Sequence, residues 1–94
     1  MDFESFVRST ADTEPPDGLG PALEALWWTR KGDWSAAHDL AQAANDATGA
    51  WVHAHLHRVE GDQSNAGYWY RRAGRPHAGD SLDREWEAIV RSLL

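Results

Sequence analysis

Apolar residues recur at three- and four-residue intervals through most of this chain, the spacing that places side chains on one face of an α-helix. In 63–73, Ala66, Trp69, Tyr70 and Ala73 form one stripe. In 34–44, Trp34, Ala37, Ala41 and Ala44 form a narrower stripe of mostly small residues, suited to close helix contact. Residues 82–94 put Leu82, Trp86, Ile89, Val90 and Leu93 on one side, an amphipathic pattern that predicts a closing helix. The segment 49–60 differs. Trp51, Val52, Leu56 and Val59 share one side, while the other carries His53, Ala54 and His57 rather than a run of charge. That composition predicts a central helix buried on both faces. Phe3, Phe6 and Val7 predict a short N-terminal helix within 1–10, capped by Asp2, and a helix over 21–31 completes the set. No segment alternates with the period of two that a half-buried strand shows.

Two segments are one unit written twice. Lys31-Gly32-Asp33-Trp34-Ser35-Ala36-Ala37 aligns with Glu60-Gly61-Asp62-Gln63-Ser64-Asn65-Ala66 at a spacing of 29 residues. Ala25, Leu40 and Ala44 continue that register onto Ala54, Trp69 and Ala73. Glycine accepts the left-handed conformation that ends a helix, and aspartate caps the next one. Gly-Asp therefore predicts a helical hairpin over 21–44 and a second over 49–73. Residues 11–20, with Pro15-Pro16 and two glycines, read as a linker, and Gly74-Arg75-Pro76 ends the second hairpin. The expected fold is all-α, a single domain over 1–94. It is a compact bundle of five to six short helices, two stacked antiparallel hairpins capped by the 82–94 helix.

The turn and second helix of the later unit, Gly61-Asp62-Gln63-Ser64-Asn65-Ala66-Gly67-Tyr68-Trp69-Tyr70-Arg71-Arg72-Ala73, resemble those of a tetratricopeptide repeat. The likeness lies at Ala66, Tyr70 and Ala73, with Ala54 matching the family's small residue in the preceding helix. The first unit matches at Gly32, Asp33, Trp34, Ala37 and Ala44, with Ala41 where the family has an aromatic. The 29-residue period is shorter than the family's, and two copies are fewer than a solenoid normally stacks. The resemblance implies an inner groove lined by Ala22, Leu26 and Thr29, then by Trp51, His55 and Arg58. There Trp51 would pack an apolar side chain and Arg58 would pair with a peptide carboxylate. The alternative is that the 82–94 helix folds into the groove and makes Trp51 core. Trp51-Val52-His53-Ala54-His55-Leu56-His57-Arg58, with Tyr68-Trp69-Tyr70-Arg71-Arg72-Ala73-Gly74, also resembles a family of short, uncharacterised bacterial proteins, a likeness that implies no activity.

Composition narrows the chemistry. A chain of 94 residues has room for one modest core, which six Trp, two Tyr and two Phe enlarge. There is no Cys, so disulfides, thiol catalysis and thiolate metal sites are excluded, in keeping with a reducing compartment. The stretch Met1–Arg8 lacks the basic flank and long apolar run of a signal peptide. No apolar run approaches the roughly 20 residues of a membrane span, and the expected location is cytoplasmic. The net charge of −6 divides as −6 over residues 1–50, +2 over 51–79 and −2 over 80–94. An acidic protein repels phosphate backbones, which argues against general nucleic-acid binding. Arg71, Arg72 and Arg75 beside Tyr68 and Trp69 still offer a surface for a carboxylate or phosphate.

The sharpest candidate chemistry is histidine. His53 and His57 stand four residues apart, side by side on one helical face, the spacing that helical metal sites use. His55 points the other way. Ala54 follows His53 where the zinc-protease motif has Glu. A third ligand must come from another helix, and the candidates are Glu24, which aligns with His53 at the repeat spacing, and His38. The competing explanation is a pair of partly buried histidines, hydrogen-bonded to Tyr70, Glu24 or a backbone carbonyl. A ligand pocket of Trp28, Trp69 and Tyr70 is not separable from core packing at this level. No Gly-rich phosphate loop, nucleophile elbow or close carboxylate pair occurs, and Ser35, Ser64 and Ser81 sit at helix starts where capping accounts for them. The expected function is a non-enzymatic protein- or peptide-interaction module without a cofactor, the partner being another protein or a second copy of the chain. Its contact residues would be Trp51, His55, Arg58, Arg71 and Arg72. The alternative is a site for a divalent metal such as zinc, or a metal-dependent or acid–base enzyme, built on Glu24, His53 and His57.

Overall fold

Helix starts in this chain are set by short polar side chains. Asp2, Asp33, Asp46, Asp62 and Ser81 each accept a hydrogen bond from the backbone N–H three residues on, satisfying a donor that the first turn leaves free. The remaining helix starts at Pro21, whose missing N–H is harmless in a first turn. A computed structural model describes all 94 residues as six helices and no strand. They are α1 (Phe3–Ser9), α2 (Pro21–Lys31), α3 (Trp34–Ala43), α4 (Ala47–Val59), α5 (Gln63–Ala73) and α6 (Leu82–Leu93). The two Gly-Asp turns have the same backbone. Gly32 and Gly61 have φ of 85° and 84°, a region open to glycine without penalty. Asp33 and Asp62 then return their N–H groups to the Trp28 and His57 carbonyls at 3.0 and 2.8 Å.

The bundle is all-α. α2 packs on α3 and α4 on α5, α3 lies against α4, and α6 covers α4 and α2. α4 is central: Gly49, Ala50 and every residue from Val52 to His57 are buried. It begins two residues earlier than the periodicity predicts, because Asp46 supplies the cap. Close approach at this end requires glycine, since a Cβ on Gly49 would stand 1.6 Å from the Ala44 carbonyl oxygen. Ala37 and Ala41, the small stripe of α3, are buried as their spacing predicts. Val59 and Leu82, although in their stripes, stay exposed, each lying at the end of its helix.

The closing helix and the N-terminal segment share one core. Trp86, Ile89 and Val90 of α6 pack with Leu26, Trp27, Val52 and Leu56. The Trp86 indole also donates to the Leu26 carbonyl at 2.8 Å. Phe3 and Phe6 meet the Trp86 ring with centroids 5.9 Å away, so α1 is seated on α6. The Pro-rich stretch is tied down at its start. Trp27 donates to the Ser9 hydroxyl at 3.1 Å, and Lys31 donates to the Asp12 carbonyl at 2.8 Å. No helix is long and apolar enough to cross a membrane.

Candidate functional site

The face of α4 that carries His53 and His57 meets α3 and α5, and it meets a third histidine there. His38, on α3, brings its Nε2 to 2.9 Å from Nε2 of His53. Ligand nitrogens of His38, His53 and His57 all lie within 4.8 Å of one another. Trp34, one turn before His38, stacks on the His38 ring at 4.7 Å and donates its indole N–H to the Leu56 carbonyl at 2.8 Å. Trp34 therefore pins His38 against α4. From the other side, Trp69 of α5 stacks on His53 at 3.8 Å and 12°, and His57 lies nearly parallel to His53 at 5.0 Å. Glu24 is not a member of this group. α3, not α2, crosses the His53 face of α4, so the third position falls to His38.

Protonation states follow from the contacts. Only one of the two facing Nε2 atoms of His38 and His53 can carry a proton, because the other must accept the hydrogen bond. Burial, and then the charges of His38 and His57, lower the His53 pKa to about 4, so this imidazole is neutral near pH 7 and has a lone pair to offer. His57 Nδ1 lies 2.7 Å from the Glu60 carboxylate. A carboxylate there holds the proton on Nδ1 and leaves Nε2 with the free lone pair, the way outer carboxylates orient metal-binding histidines. Two zinc-bound imidazole nitrogens stand roughly 3.3–3.4 Å apart in tetrahedral geometry with Zn–N bonds near 2.0–2.1 Å. Opening the His38–His53 contact by a few tenths of an ångström would reach that separation.

The opposite face of α4 is a different site, and it is full. His55 and Glu85 are almost completely buried, at 1% and 3% exposure. One Glu85 oxygen pairs with His55 Nδ1 at 2.7 Å and accepts from Arg58 Nη1 at 2.8 Å. The other accepts from the Tyr70 hydroxyl of α5. Burial alone would raise the Glu85 carboxyl, but hydrogen bonds from His55 and Tyr70 and the Arg58 guanidinium hold it below its ordinary value. Burial and the Glu85 carboxylate push the Tyr70 phenol up. Arg58 also reaches the loop before α6 through the Asp80 carbonyl. The carboxylate expected from a peptide thus comes from the chain itself, and the groove of Trp51, His55 and Arg58 is occupied by α6. Trp51 remains half-buried with the Arg75 guanidinium 3.4 Å from its ring centroid.

The remaining candidates scatter. Trp28 packs edge-on against Trp27, Trp69 belongs to His53, and Tyr70 is core with Ala54 and Ala66, so these three form no common pocket. Arg71 and Arg72 are exposed on α5, and Arg72 lies over the Tyr68 and Trp69 rings at 5.7 and 5.2 Å. A polar cleft of about 570 Å³, lined in part by Gln42, Asn45, Asp46 and Arg72, ends on His53 and Trp69. Two working residues escape a reading by periodicity, Glu85 and Glu60. Glu85 had a signal: it stands three residues after Leu82 and four before Ile89, inside the apolar stripe of α6. Glu60 lies three residues after His57, one helical turn on. No protein-family model, curated protein or solved structure matches the chain.

Proposed function

We propose that this protein binds a divalent transition metal of the zinc class through His38, His53 and His57. The observation that carries the reading is the convergence of three imidazoles from two helices, with His57 oriented by Glu60. Imidazole nitrogen suits zinc, copper, nickel and cobalt, whereas magnesium and calcium call for oxygen donors. Because α3 and α4 belong to different hairpins, the ion would bridge the two halves of the repeat. Equilibration of the full chain with Zn(II), followed by gel filtration and elemental analysis, tests the reading. The expected result is one ion per chain, lost in His53→Ala and His38→Ala. Metal far below one per chain in the parent protein would refute it.

A second reading is an interaction module whose partner binds α5. It is favoured by Arg71, Arg72 and Tyr68, which are exposed together on a chain of net charge −6. An acidic partner segment is the chemistry such a face accepts. The groove residues His55 and Arg58 do not take part in this reading, since Glu85 occupies them.

A further inference from the structure

We infer that the three-histidine centre is an open one, in which the bound ion keeps one exchangeable position for a small anionic ligand. The inference rests on the metal-binding reading above and deepens it. Structural zinc sites close the tetrahedron with four protein ligands, while sites that exchange a ligand offer three. Three is the number this centre supplies. The nearest carboxylates, Glu60 and Asp62, gather with His57 in a second group and not with His38 or His53. Glu60 sits on the Nδ1 edge of His57, and the two nitrogens of one imidazole ring point in diverging directions. Asp62 is committed to capping α5, with one oxygen on the Asn65 N–H and the other on the Asn65 amide.

Charge decides what the open position takes. Three neutral imidazoles leave a divalent ion with its whole charge of about +2. Glu60, hydrogen-bonded to His57, offsets about one unit of it from the outer shell. Aromatic rings flank the centre on two sides: Trp34 stacks on His38, and Trp69 stacks on His53. In such a medium a residual positive charge is costly, and a single monoanion brings the site to neutrality. Hydroxide from a metal-polarised water is the resting candidate near pH 7, and a small carboxylate or pseudohalide is the competitor. The centre is also reachable. His38 is only half-buried, the His57 side chain keeps 10% of its surface, and the polar cleft extends to His53.

Cobalt(II), which takes zinc geometry and absorbs visible light according to its coordination number, is the probe. The full chain is loaded with one equivalent of Co(II) and titrated with azide, then separately with acetate and with neutral imidazole. The expected result is an intense four-coordinate spectrum that azide shifts saturably at one per ion, and that dialysis restores. Acetate shifts it at higher concentration, and imidazole binds less tightly than azide. Glu60→Gln keeps an acceptor for His57 Nδ1 while removing the negative charge, and it should tighten azide about tenfold. A four-coordinate spectrum that azide leaves unchanged would overturn the inference while the metal-binding reading stands. An unaltered azide affinity in Glu60→Gln would overturn its charge argument. Failure to take up Co(II) or Zn(II) at all would remove both readings together.

Discussion

Helix α4 uses histidine in two opposite ways within five residues. On one face His53 and His57 meet a third imidazole and two tryptophans, with no buried carboxylate at His53. On the other face His55 meets a carboxylate, Glu85, that also holds Arg58 and Tyr70. The difference lies in what the nitrogens face: a carboxylate at His55, another imidazole at His53. Both Glu85 oxygens have partners, and the groups around it lock α6 onto α4 and α5. The imidazole face instead holds lone pairs close together with one proton between two of them. A buried network with every member matched is structural, whereas three converging imidazoles are donors of the kind a divalent metal takes.

The two faces should respond differently to the same kind of injury. The largest effect is expected from Glu85→Ala, which strands the Arg58 guanidinium and the Tyr70 hydroxyl in the core. Removing one partner of a buried charge pair costs about 3–5 kcal/mol, read from urea unfolding. A loss below about 1 kcal/mol would mean that water reaches the network. Zinc should stabilise the parent protein by about 2.7 kcal/mol at free metal 100-fold above its Kd. For a domain of this size that is a rise of roughly 10–20 °C in Tm. Glu85→Gln should keep the zinc response, and His53→Ala should lose it.

Acid separates the faces in the metal-free protein. His53 has a pKa of about 4 in the fold against an ordinary 6.5, so between those values the unfolded chain binds a proton that the native chain refuses. Its contribution is complete above pH 6.5 and is lost as the pH falls toward 4. Glu85 is held below its ordinary 4.5, so its contribution is present above that value and declines as the pH drops through it. Urea midpoints measured from pH 7.5 to 3 should fall in two stages. His53→Ala should flatten the upper stage and Glu85→Gln the lower; one shared stage would merge the faces. The smallest effect belongs to Arg72→Ala, which removes an exposed cation from Trp69, about 0.5–1 kcal/mol with little change in zinc affinity.

Local features of this fold were legible because local interactions produce them. The Gly-Asp turns, the helices they separate and the stripe of α5 follow from backbone conformation and side-chain period. Within the candidate site the legible part was the His53–His57 pair, since residues four apart on a helix are neighbours wherever the helix lies. The third position was not legible. Repeat register pointed to Glu24, with His38 named as another candidate, and only the crossing of α3 over α4 brought His38 to His53. Glu85 was overlooked although its place inside the α6 stripe marked it as a buried carboxylate. The groove reading gives Arg58 to a partner, whereas the matching charge, Glu85, lies on the chain's own closing helix 27 residues away.

What the sequence alone determined is therefore an all-helical chain, its punctuation, and the residues on each helix face. Those depend on the period of 3.6 residues and on caps that act within one turn. Tertiary structure decided which faces meet: His38 with His53, Glu85 with His55 and Tyr70, and α6 in the groove that the repeat left open. Such meetings depend on how helices are rotated and crossed against one another. That is set by the packing of the whole core, from Phe6 to Val90, and no spacing along the chain encodes it.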